Sequence, residues 1–271
     1  MDIKTRVLNG INPCDTHINI IDAHAHIGEG EYSSTFLYTL PVDETIRLSK
    51  KIGISKMAVS SLRAIGGDVI AGNKRLFELC EKYSSELYAY VYYSTKYPQE
   101  CLKFIDDYRK HEKFIGVKIH PREDNASLTD KNYHILYEYA TKNNILILAH
   151  TWQTEPENDP ALFEEILKEY PTLKLLIGHM GGTYKGCLSS LALAKKYPNV
   201  YLDINGSIYS EIWIENLIKC APIDKFIFST DQVFNDPRIV LGRVLLSDIS
   251  EKDKQKILHS NFLHMTGRKH L

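Results

Sequence analysis

Short, almost wholly apolar runs alternate along this chain with longer stretches in which apolar residues return every three or four positions. The first pattern is that of a strand buried on both faces, and the second that of an amphipathic helix packed over it. Strands are expected at 18–26, 56–61, 87–92, 114–120, 145–150, 173–179, 200–204 and 225–231. Between them, helices are expected at 42–52, 68–83, 99–112, 184–196 and 211–220. Two more are marked by their starts, one by an N-cap at Asp130 and one by Asp159-Pro160, the latter ending before Pro171. The tail 251–271 adds a helix and a polar end. Eight such repeats predict an α/β protein with a parallel sheet closed into a (β/α)8 TIM barrel. An open doubly wound sheet would collect its ligand at one switch point. Here His or Asp residues end the first, fourth, fifth, sixth and eighth strands, and only closure brings them to one mouth. Residues 1–271 are expected to form one barrel domain.

Composition narrows the function classes. A chain of 271 residues is close to the length of one such barrel, about 250 residues. With 33 basic against 34 acidic residues, the net charge of -1 offers no general attraction to nucleic acid or to an acidic membrane surface. A small-molecule substrate is expected instead. No apolar stretch has the length of a transmembrane helix, and the amino terminus lacks a signal-like apolar segment, so a cytoplasmic location is expected. Cys14, Cys80, Cys101, Cys187 and Cys220 are scattered without a CxxC pair, as reduced thiols would be. Nothing in the sequence sets the oligomeric state, and a homo-oligomer is compatible with it.

The candidate chemistry lies at the strand ends. His24 and His26 are two residues apart in the run Ile20-Ile21-Asp22-Ala23-His24-Ala25-His26, so they project from one face and can converge on one ion. His150 and Asp231 end other strands, and three nitrogens with one oxygen make a zinc-like shell with room for water. His179, followed by Met180-Gly181-Gly182, is placed as a proton donor or acceptor beside the metal, the glycines allowing close backbone approach to a ligand. Lys118 and His120 share a face of the fourth strand. A lysine pointing into a barrel needs a partner or neutralisation. Two readings stand: a salt bridge, with Asp22 as a partner on the His24 and His26 face, or carboxylation to a carbamate bridging two metals. His120 is then a substrate contact, and Arg63, Arg122, Trp152 and Tyr209 are the loop residues expected to bind substrate, the arginines pointing to a carboxylate.

These residues, in this order, resemble the amidohydrolase superfamily, in particular its branch that includes aminocarboxymuconate-semialdehyde decarboxylase. The likeness runs through Asp22-Ala23-His24-Ala25-His26, Gly116-Val117-Lys118-Ile119-His120-Pro121, His150, His179-Met180-Gly181-Gly182 and Ser229-Thr230-Asp231, and Asn261-Phe262 resembles the Asn-containing segment that closes many of these barrels. It implies a distorted barrel with a divalent ion, usually zinc, held by His24, His26, His150 and Asp231, with His179 beside the bound water. One Zn2+ is expected; Mn2+ or another divalent metal is compatible, and two ions require Lys118 to be carboxylated. On this basis the expected activity is hydrolysis of a C–N or C–O bond by metal-activated water, with Asp231 and His179 managing protons. The alternatives are non-oxidative decarboxylation or hydration of a small carboxylic acid, and a catalytically silent metal-binding protein.

Overall fold

The computed structural model describes residues 3–8, 19–28, 40–205 and 214–271. Eight strands lie in chain order around one sheet. They are β1 (Ile20–Ile27), β2 (Ile54–Ser61), β3 (Leu87–Tyr92), β4 (Phe114–Ile119), β5 (Leu146–Ala149), β6 (Lys174–Ile177), β7 (Val200–Asp203) and β8 (Phe226–Ile227). Each successive pair is parallel. The ring is brought round by backbone hydrogen bonds from Ala23 N to Phe228 O, 3.1 Å, and from Asp231 N to His24 O, 2.8 Å. This is the (β/α)8 barrel that the alternation predicts.

Helices start where local chemistry allows it. Asp130 accepts from Asn132 N at 2.8 Å to cap Lys131–Asn143, and Thr183 accepts from Gly186 N at 3.0 Å to cap Tyr184–Lys196. Proline occupies the first turn of Pro98–Tyr108 and Pro237–Leu245, where its missing N–H costs nothing. Among the described residues no helix is long and apolar enough to cross a membrane. The chain departs from expectation mainly at strand ends. β8 is two residues long because Phe228 N leaves the ladder to donate to Ile257 O in the tail, 3.0 Å. β6 stops at Ile177, so His179 lies in the turn that follows. The helices Leu62–Ile65 and Pro121–Asp124, absent from the sequence reading, sit directly after β2 and β4.

The interior divides into two apolar clusters. The larger fills the space between strands and helices, while the smaller lies inside the barrel, with Tyr90, Leu148, Leu176 and Ile227 packed on Phe262 and Met265 of the helix Asn261–Thr266. Asn261 Nδ2 pins that helix by donating to Ile223 O and Phe226 O, at 2.8 and 2.9 Å.

β1 carries a register shift that sequence parity does not show. Asp22 pairs with Met57 and Ala25 with Val59, so three steps along β1 match two along β2. The extra residue is a bulge. Ile21 and Ala23 therefore face the barrel interior, while Ala25 and Ile27 face the helices and His24 and His26 are left at the mouth.

Candidate metal centre

At the carboxyl ends of the strands, His24, His26 and Asp231 each offer one ligand atom, all within 4.8 Å of one another. His26 Nε2 is 3.0 Å from Asp231 Oδ1, and His24 Nε2 is 3.6 Å from the same oxygen. The opposite ring nitrogens are held from behind. His24 Nδ1 donates to Asp203 Oδ2 at 2.7 Å, and His26 Nδ1 lies 2.9 Å from Ser60 Oγ. A proton held on Nδ1 of His24 by a carboxylate leaves the lone pair on Nε2, turned toward Asp231. Both rings are fully or almost fully buried, and Asp231 is 13 % exposed. Two imidazole nitrogens and a carboxylate oxygen of this kind fit a divalent cation.

Electrostatics favour the ligand forms. Burial, then the nearby Lys118, holds His24 well below the usual imidazole range, and burial also lowers His26. Neutral rings keep their lone pairs. Burial works against the Asp231 carboxylate, but His179, the His26 hydrogen bond and Lys118 together hold it below its ordinary value. Burial raises Asp203 to about 7, with a hydrogen bond from Ser229 opposing the rise.

Lys118 Nζ lies 2.7 Å from His24 Nε2. Burial brings its ammonium down to about 8 against the pull of Asp231 and Asp203. The expected partner Asp22 is elsewhere. Its carboxylate accepts from Thr230 N and Gln232 Nε2, both at 3.0 Å, and from Thr230 Oγ1 at 2.5 Å. The bulge in β1 is the reason, since it removes Asp22 from the face that His24 and His26 share. Burial lifts the Asp22 carboxyl to about 7.

Next to this triad stands a group of rings. His150 Nδ1 is 3.1 Å from His179 Nε2 and its ring stacks on His120, with centroids 3.8 Å apart and planes 12° apart. Trp152 is parallel to His150, 10° between planes at 6.4 Å. Burial pulls His179 down to about 4. His120 Nδ1 is buried without a hydrogen-bond partner. His179 and Asp231 both have left-handed backbones, φ 59° and 56°. For residues with a Cβ that conformation costs about 1–3 kcal/mol and is concentrated at functional sites. A Cβ at Gly182, φ 68°, would stand 2.4 Å from the Trp152 ring, so Gly182 makes room for that indole.

The remaining expected residues are spread more widely. Arg63 pairs with Asp68 at 2.5 Å and Arg122 with Glu155, both at the same end of the barrel. Tyr209 lies outside the described residues. Sequence reading passed over Asp203, Asn205, Ser60 and Phe234, whose ring meets His26 edge-on at 5.3 Å. Asp203 did leave a signal, an acid ending an apolar strand at the same end as the histidines. Asn205 and Ser60 left none.

A family model described as Amidohydrolase matches residues 21–261. No curated protein sequence matches the chain. Among solved structures, 2,6-dihydroxybenzoate decarboxylase from Rhizobium superposes with a TM-score of 0.74 at 15% identity, covering 92% of this chain and 99% of that one. Dihydroxybenzoic acid decarboxylase from Polaromonas, with manganese and 2-nitroresorcinol bound, gives 0.73 at 17%, covering 92% and 97%. 5-Carboxyvanillate decarboxylase from Sphingomonas paucimobilis gives 0.73 at 10%, covering 93% and 100%. All three are decarboxylases, and against them the expectation of a hydrolase does not stand. The physical reason is that one ligand set serves both chemistries: a cation that polarises an oxygen can assist attack by water or steady the charge left as carbon dioxide departs. The expectation of zinc is likewise reduced to that of a divalent metal, manganese being the one named in a relative.

Proposed function

The chain belongs to the amidohydrolase family, and from that premise we propose that it is a metal-dependent, non-oxidative decarboxylase of a small aromatic or unsaturated carboxylic acid. The observation that carries the reading is the pairing of the His24, His26 and Asp231 triad with a wall of parallel rings, His120, His150 and Trp152. The first suits a cation and the second a flat apolar substrate. The decarboxylase relatives bind aromatic acids or their analogues, which supports the same class of substrate.

In this reading His24, His26 and Asp231 hold one divalent ion, zinc or manganese, His150 completes the shell, and Lys118 remains an amine rather than a bridging carbamate. When bound, the ion anchors and polarises the substrate carboxylate or a neighbouring oxygen. The chain's own residues do the rest. Trp152 and the stacked imidazoles orient the ring and exclude water from one face. His120, with its unpartnered Nδ1, is the substrate contact. Breaking the bond to the carboxylate leaves the electron pair on carbon, and a proton has to reach that carbon as carbon dioxide leaves. Asp231, with Oδ1 on His26 and Oδ2 accepting from Asn235 at 3.2 Å, and His179 are the groups positioned to handle that proton.

Product analysis tests this. Manganese- or zinc-loaded protein is incubated with hydroxybenzoic acids and unsaturated carboxylic acids in deuterated water. Release of carbon dioxide with one deuteron on the former carboxyl-bearing carbon is expected. No carbon dioxide from any member of the panel, with a full complement of metal, would end the proposal.

A further inference from the structure

β7 places no residue in the triad, yet the short segment at its end makes side-chain hydrogen bonds to two of the imidazoles, His24 and His179. Asn205 is fully buried there. Its Nδ2 lies 2.9 Å from Asp203 Oδ2, 3.0 Å from Ser229 Oγ and 3.2 Å from His24 Nδ1, while its Oδ1 lies 2.5 Å from His179 Nδ1. Ser229 spends its proton on Asp203 Oδ1, so its oxygen is free to accept from Asn205. Turning the amide over would set its carbonyl oxygen against the Asp203 carboxylate and give up the hydrogen bonds to Asp203 and Ser229. The orientation is therefore decided by Asp203 and Ser229, not by the histidine.

An amide oxygen can only accept, so His179 Nδ1 must donate. A neutral imidazole carries one N–H, which leaves Nε2 of His179 as an acceptor. Its neighbour at 3.1 Å, His150 Nδ1, must then be the donor. We propose that Asn205 is a positioning residue that sets the tautomers of two rings in series: His179 is held as the Nδ1–H form, and through it His150 is held as the Nδ1–H form with its lone pair on Nε2. Asp203 does the same for His24 directly. The last residue of β7 and the segment that follows it thus decide which nitrogen each of three rings offers to the mouth. The tautomers follow from the hydrogen bonds alone; only the use of those lone pairs by a metal rests on the function proposed above.

The test reads tautomers, not turnover. Metal-free protein labelled with imidazole-15N histidine is examined by two-bond 1H–15N correlation near neutral pH, with His179→Gln and His150→Gln to assign the two rings. Both rings are expected as Nδ1–H, the minor form of free histidine. In Asn205→Ala, the Nδ1–H to Nε2–H ratio of His179 should fall about tenfold, and that of His150 should follow. An Nε2–H signal for His179 in the wild type overturns the proposal even if the variant does not fold, and so does an unchanged ratio in a folded variant. Mn2+ affinity, measured in parallel by electron paramagnetic resonance, should drop about tenfold or more in the variant. A tautomer change with unaltered affinity supports the role of Asn205 and removes His150 from the ligand shell.

Discussion

The two halves of the barrel interior are drawn from the same strands but follow different physics. In the apolar half, Ile21, Tyr90, Leu148 and Leu176 pack by shape with Phe262 of the helix Asn261–Thr266, and each buried side chain of that size contributes about 1.5–3 kcal/mol. Near the carboxyl ends, His24, His26, Lys118 and Asp203 are also buried and Asp231 is largely so, where each would destabilise the fold if left alone. They are tolerated because each has a partner. The lesson is that chemistry and packing are separated along the strand axis, so a substitution's effect should depend on which half it touches.

The sharpest way to break that comparison is His26→Ala. It should strip the metal, read by elemental analysis, and lower turnover by about 10^3-fold, the range for loss of a principal charge-stabilising group. Retention of a full complement of metal would show that the triad is misassigned. In the other half, Phe262→Ala should cost about 3–5 kcal/mol in urea unfolding. Metal affinity should hardly change, and a variant that lost its metal while remaining folded would mean the halves are coupled.

Acidification probes chiefly the mouth, with His259 of the tail, also lowered by burial, acting in the same sense. His24, His26, His120, His150 and His179 are held below the unfolded value of 6.5, so the unfolded chain binds more protons and their contribution is lost as pH falls below that value toward about 4. Asp22 and Asp203, raised to about 7, act in the opposite sense, their contribution being present at low pH and lost as pH rises toward 7. Five imidazoles outnumber two carboxylates. The urea midpoint of metal-free protein should therefore fall on going from about pH 6.5 to about 4.5. A rising midpoint would give the carboxylates control. The smallest effect is expected from Tyr90→Phe, because that hydroxyl is buried among the apolar residues without a partner. Stability should stay level or rise by up to about 1 kcal/mol, and a larger loss would reveal a partner for the hydroxyl.

Much of the architecture was readable because it rests on periodicity. Apolar runs at 87–92 and 114–120 become β3 and β4 almost residue for residue, and Tyr184–Lys196 is the helix expected there. The candidate site was readable only in part. His24, His26 and Asp231 could be paired by residue type and strand position. The support from Asp203, Ser60 and Asn205 could not, because a serine or an asparagine near a strand end has many ordinary uses and its partner is chosen by contacts across the barrel. The shared chemistry of hydrolysis and decarboxylation also left no mark in the ligand pattern.

The sequence by itself determined the alternation of strands and helices, the closure it implies, and the end of the barrel where polar groups collect, since these depend on local pattern and on where apolar runs stop. Tertiary structure decided what those groups do to one another. An added residue in β1 sends Asp22 to Thr230 and Gln232 instead of Lys118, and the end of β7, at Asp203 and Asn205, sets the hydrogen bonds of His24 and His179. Register and tautomer are properties of pairs distant in the chain, and no local pattern encodes a contact across nearly two hundred residues of separation, such as the 179 between His24 and Asp203.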